Sequence, residues 1–160
     1  MKTQKIALTG LLIALALILS YLESLVPLSF AIPGIKLGLP NLVIVFALYR
    51  LKPPVAAAIS LLRVALVALL FGSALSLAYS AAGAVVSLVV MLLLKRTGRF
   101  GCTGVSVAGA VVHNLAQIAT AALLLETPSL AWYFPVLCLS GTVAGVVIGL
   151  LAALLAKRVP

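Results

Sequence analysis

Apolar residues fall into runs at roughly 6–25, 40–51, 53–72, 75–94, 104–125 and 131–156, parted by short stretches such as KPP from Lys52, FGSALS from Phe71, KRTGRFG from Lys95 and ETPS from Glu126. A membrane-spanning helix takes about 20 residues, so this spacing predicts an all-α integral membrane protein, a six-transmembrane-helix bundle. Residues 1–160 form a single polytopic domain in this reading. Short connections make sequential helices near neighbours.

The second run does not fit the simple pattern. From Pro40 to Leu51 it offers about 12 helical residues, or about 18 Å of rise, against a hydrocarbon core of about 30 Å. Before it stands FAIPGIKLGLP, in which Pro33, Gly34, Gly38 and Pro40 break any helix and Lys36 lies between the breaks. The short helix is therefore predicted to begin at Pro40, below the outer surface, with residues 27–39 as a broken re-entrant segment that dips to meet it. Irregular backbone at that depth is tolerated where protein buries it or where it lines a polar cavity. The pattern thus implies a cavity.

Composition agrees with lipid as the solvent, with 65% hydrophobic and 8% charged residues and a mean hydropathy of +1.37. A net charge of +9 would point to nucleic acid in a soluble chain, but here its distribution argues otherwise. Threading the runs as alternating crossings gathers Lys2, Lys5, Arg50, Lys52, Lys95, Arg96, Arg99, Lys157 and Arg158 on one face, leaving only Lys36 and Arg63 of the 11 cations elsewhere. By the positive-inside rule that face is cytoplasmic, so both termini are expected inside and nucleic acid is not expected as a partner. The first run, preceded by Lys2 and Lys5, is long for a signal peptide and no A-x-A site follows it, so it reads as a retained helix.

The polar residues inside the runs are the candidates for lining the cavity. Arg63 lies about ten residues into the third helix and His113 about nine into the fifth, which brings both near the bilayer midplane, about 15 Å from the cytoplasmic end. Intramembrane Arg is costly and usually marks a pathway or a site. Asn114 and Gln117 follow His113, and the i, i+4 pair of His113 and Gln117 projects from one face. The same polar trio would equally serve as hydrogen-bonding glue between helices. Asn41 opens the short helix, whose amide groups and dipole favour an anion. Lys36 either reaches a ligand or extends to the headgroups. Glu23 and Glu126, near outer helix ends, read as solvated, although Glu23 could neutralise Lys36.

Small residues add a packing signal. Gly141, Gly145 and Gly149 recur every four residues in the last helix and permit close helix approach. Gly10 and Ala14 repeat that spacing in the first helix, with Ala16 and Ser20 on another stripe, and internal packing or docking of another membrane subunit would use it.

Enzymatic chemistry finds few groups. The chain has no Asp and only two Glu, so Mg²⁺-dependent diphosphate chemistry lacks a carboxylate cluster. No P-loop occurs, and the single His has no carboxylate at its depth for a triad. Cys102 and Cys138 differ in predicted depth, so neither a disulfide nor a metal site is expected, and no cofactor is called for.

The segment IPGIKLGLPNLV, Ile32 to Val43, resembles the signature of the Gx transporter family, whose members also carry the name heptaprenyl diphosphate synthase component I. The resemblance covers nearly the whole chain in length and layout, and implies kinship with the substrate-capturing S components of energy-coupling factor transporters. It further implies six helices with both termini cytoplasmic, in a bacterial cytoplasmic membrane, and a first outer loop, here about Pro27–Leu39, that closes over the ligand. A small-residue ridge on the first helix, here Gly10 and Ala14, would meet a membrane coupling subunit that works with ATPases. Gly10 replaces the first Ala of the usual Ala-x-x-x-Ala ridge.

Together these features predict a substrate-binding and transport component, not an enzyme. A small anionic or strongly polar solute would enter from outside and bind Arg63, His113, Asn114, Gln117, Asn41 and Lys36. The alternatives are an accessory membrane subunit in isoprenoid, heptaprenyl diphosphate or quinone metabolism, and a structural subunit of a membrane complex.

Overall fold

The structure is a computed structural model and describes residues 2–25 and 38–158. These form α1 (Lys2–Leu25), α2 (Asn41–Arg50), α3 (Pro53–Phe71), α4 (Ala74–Thr97), α5 (Cys102–Leu124), a 3-10 turn (Pro128–Tyr133) and α6 (Phe134–Arg158). Five helical stretches are long and apolar enough to cross a membrane, and α2, with 10 residues, is the short exception. The proposed re-entrant segment falls largely on residues 26–37, outside the described residues.

Helix ends follow local chemistry. Lys95 and Arg96 belong to the last turn of α4 and not to a loop, because the left-handed stop comes only at Gly98, whose φ is 67°. Cations there complement the carbonyl end of the helix dipole. Pro53 and Pro54 open α3, where the missing amide hydrogens cost nothing. Ser73 and Ser76 cap each other's backbone amides at the start of α4, at 3.1 and 2.9 Å. The sixth run begins with the 3-10 turn, so α6 starts at Phe134, later than the apolar pattern suggested.

Neighbouring helices pack in chain order from α3 through α6, α1 lies against α3, and α2 touches α1, α3, α5 and α6. The short helix thus fills the centre of the bundle. Val43, Ile44, Val45, Ala47 and Leu48 of α2 are buried, and around them lie Leu12 and Ala16 of α1, Ile59 of α3, Met91 of α4, Val105 of α5 and Ile148 of α6. On the outside, Leu69 is 81% and Leu123 79% exposed, a surface suited to lipid.

The dry core occupies one end of the bundle. Lys95 Nζ donates to the Leu48 carbonyl at the C-terminal turn of α2 and stands 5.0 Å from the Tyr49 ring centroid, tying the ends of α2 and α4 together. A Cβ on Gly149 would meet Thr103, so the C-terminal half of α6 lies beside the start of α5. These contacts and the chain connections bring Arg50, Lys52, Lys95, Arg96, Arg99, Lys157 and Arg158 to this same end. At the other end, Tyr21 and Phe71 meet edge to face at 5.9 Å, joining the C-terminal ends of α1 and α3.

Candidate functional site

At 1.5 Å per residue, α2 rises only about 15 Å, about half the hydrocarbon thickness. The other five described helices continue past its N-terminus. The space they enclose is a cavity of ≈ 100 Å³, floored by Gly38, Pro40 and Asn41. Glu23 of α1, Arg63 of α3, Ser76 and Ser80 of α4, His113 and Asn114 of α5, and Gly141 of α6 contribute to its walls. Every described helix therefore reaches the cavity.

Arg63 is the central charge. Its Nη1 donates to Ser20 Oγ at 3.4 Å, and that hydroxyl in turn donates to the Ala16 carbonyl at 2.8 Å. Its Nε is buried and has no hydrogen-bond partner among the described residues. A buried donor on a charged group without an acceptor carries a desolvation cost of about 1–3 kcal/mol or more. An acceptor brought into the cavity would remove that cost.

Glu23 belongs to the wall and is not merely a solvated helix end. Its Oε1 accepts the Gly38 amide hydrogen at 2.7 Å, across 15 residues of sequence. Gly38 has φ 72°, a left-handed conformation that glycine adopts without strain, and this turn aims its amide at α1 while its carbonyl accepts from Asn41 N at 2.8 Å. Glu23 and Arg63 lie within range of each other's charge. The lining expected to be cationic from Arg63 therefore contains both signs.

His113 is positioned by an absent side chain opposite. A Cβ on Gly83 of α4 would come within 3.0 to 3.1 Å of three imidazole atoms, so the glycine makes room for the ring between α4 and α5. Asn114 Nδ2 donates to the Leu137 carbonyl at 2.9 Å and thereby links α5 to α6 while also facing the cavity. Gln117 lies behind it: its Nε2 donates to Ser80 Oγ at 3.4 Å, and Ser80 presents the link to the cavity. Both amides join helices and shape the wall.

Asn41 lines the floor, but the amides at the start of α2 are not open to an anion in the way its helix-start position suggested. Asn41, Leu42 and Val43 donate to the carbonyls of Gly38, Leu39 and Pro40 at 2.8 to 3.1 Å. The turn leading into the helix has satisfied them. Lys36 lies outside the described residues. Gly10 and Ala14 occupy an exposed stripe of α1, away from the cavity, whereas Gly141, Gly145 and Gly149 face α5.

The cavity residues with polar side chains that are absent from the sequence expectation are Glu23, Ser76 and Ser80, with Ser20 and Gly83 supporting the wall. The Ala16 and Ser20 spacing on α1 was the one visible signal, since both are buried on the stripe that meets α3. No group of three or more His, Cys, Asp or Glu residues that could hold a metal occurs among the described residues.

Fold and site define the class: a multi-pass, all-helical membrane bundle built around a polar cavity beyond the end of a short central helix. The family model for heptaprenyl diphosphate synthase component I matches residues 12–155, and the chain belongs to that family. No curated protein and no solved structure matches the chain.

Proposed function

We propose that the chain is a membrane solute-capture component, similar in working principle to the S components of energy-coupling factor transporters. The observation that carries this reading is the buried Arg63 Nε, without an acceptor among the described residues, beside a small polar cavity walled by all the described helices. Such an arrangement is costly in lipid unless something fills it. The basic end would face the cytoplasm of a bacterial cell, with both termini inside, and the cavity would face outward. Reporter fusions after Arg99 and after Pro160 are expected to read cytoplasmic, and one after Glu126 to read external. A cytoplasmic signal after Glu126 would remove the outward-facing cavity.

The family's name favours a second reading, because it describes one component of a heptaprenyl diphosphate synthase and so implies a partner component. In that reading the bundle would be the membrane anchor of a prenyl-chain enzyme. Native mass spectrometry of the gently purified protein separates the two. Capture predicts a retained small molecule that is lost on washing, with or without a membrane coupling subunit. The accessory reading predicts a co-purifying soluble prenyltransferase and an empty cavity, and that result would overturn capture.

A further inference from the structure

The lining of the cavity narrows the solute further, and this step rests on the capture reading above. Several polar groups of the wall are already committed to the protein. Ser76 Oγ donates to the Ser73 carbonyl at 2.8 Å in the cap of α4, Ser80 Oγ receives Gln117 Nε2 at 3.4 Å, and Asn114 Nδ2 is spent on the Leu137 carbonyl at 2.9 Å. Glu23 Oε1 is held by the Gly38 amide at 2.7 Å. The Arg63 Nε hydrogen differs, being buried and without an acceptor among the described residues.

The same guanidinium turns Nη1 to Ser20 Oγ at 3.4 Å. Its other edge carries the Nε and Nη2 hydrogens side by side, a planar fork whose two prongs match the two oxygens of a carboxylate. The orphaned Nε is one prong of that fork. A neutral amide brings a single oxygen and no charge, and charge-assisted bonds are roughly twice as strong as neutral ones.

Much of the remaining wall is hydrocarbon. Val64, Val67 and Ala68 bring α3 to the cavity beyond Arg63, and Ala110 of α5 and Ala144 of α6 add to the same lining. A tetrahedral oxyanion such as phosphate carries oxygens on all sides, and those turned to this surface would be stripped of water without a donor in return. A short aliphatic tail gains from the same contact. Size limits that tail, because a cavity of ≈ 100 Å³ is smaller than the roughly 150 Å³ engineered cavity that accepts benzene.

We propose that the captured solute is a short-chain monocarboxylate of about four or five heavy atoms, with its carboxylate on the Nε edge of Arg63 and its tail against Val64, Val67, Ala68, Ala110 and Ala144. No contact with Glu23 is required. The site thus selects for one planar anionic head and one small apolar end.

The test uses the full chain in detergent or nanodiscs, stripped of retained solute, with formate, acetate, propionate, hexanoate, phosphate and propionamide as probes at constant pH and ionic strength. A bound probe raises Tm in a concentration-dependent manner, which yields a Kd for each. Affinity is expected to rise about fourfold per added carbon from formate to propionate, as each carbon is buried, and to fall for hexanoate, which overfills the space. Propionate should bind about tenfold or more tightly than phosphate or propionamide. Ala144→Leu is expected to fill the apolar end and weaken propionate about tenfold or more while formate is retained, and formate binding shows that the variant is folded. Propionate binding that is unchanged in the folded variant overturns the placement of the tail. Phosphate or propionamide binding to the wild type as tightly as propionate overturns the proposal and leaves capture of another solute standing. An affinity that stays level from formate to propionate, or is highest for hexanoate, overturns it in the same way. No response to any probe also overturns it, and capture itself then stands or falls on the retained molecule in the native mass spectrum.

Discussion

Arg63→Gln is expected to fold normally and to bind its solute about 30-fold or more weakly, because removing one partner of a buried charge-assisted contact costs about 2–5 kcal/mol. Folding should survive because the substitution removes a charge from the middle of an apolar helix, which lowers the cost of placing α3 in lipid. Arg63→Lys should bind weakly as well: an ammonium group has no counterpart to the buried Nε and cannot reproduce the planar fork. Affinity and Tm measured on the same preparations decide the matter. A well-folded Arg63→Gln protein with normal affinity would take Arg63 out of the site, whereas a large loss of Tm, with normal binding by the folded remainder, would make it a structural strut.

Most of the helix layout was legible because lipid imposes a simple rule on sequence. Long apolar runs became α1, α3, α4, α5 and α6, and the short run before Arg50 became the 10-residue α2. Counting residues along α3 and α5 also brought Arg63 and His113 to one level, and both line the same cavity. What counting could not supply was lateral position. Glu23 looked like a solvated helix end because its partner, the Gly38 amide, lies 15 residues away across a segment with no helical period to follow. Ser20, Ser76 and Ser80 are short polar residues that membrane helices tolerate on any face, and only the packing of α1 and α4 directs them inward. Gly83 had no signal at all, since a lone glycine becomes meaningful only when the His113 ring opposite it is known.

That difference in lateral position also governs the two small-residue stripes, which share a spacing and should respond in opposite ways. A Cβ on Gly145 would stand 2.6 Å from Val107 Cα, 3.1 Å from its backbone nitrogen and 3.2 Å from the Ser106 carbonyl oxygen. All three are backbone atoms, so α5 itself would have to move. A Cβ on Gly149 would meet Thr103 Cα at 2.6 Å in the same way. Gly145→Ala and Gly149→Ala are therefore each expected to destabilise the bundle by about 1–3 kcal/mol, the usual cost of overfilling a packed contact, despite the better helix propensity of alanine. Gly10 is exposed and has nothing within 4 Å of such a Cβ, so Gly10→Leu should leave Tm unchanged or slightly raised. If the Gly10 and Ala14 stripe is where a membrane coupling subunit docks, the bulky side chain should abolish co-purification of that subunit while solute binding persists. Undiminished co-purification with Gly10→Leu would assign the stripe to lipid, and a fall in Tm for Gly10→Leu matching that of Gly145→Ala would contradict the outward face of α1.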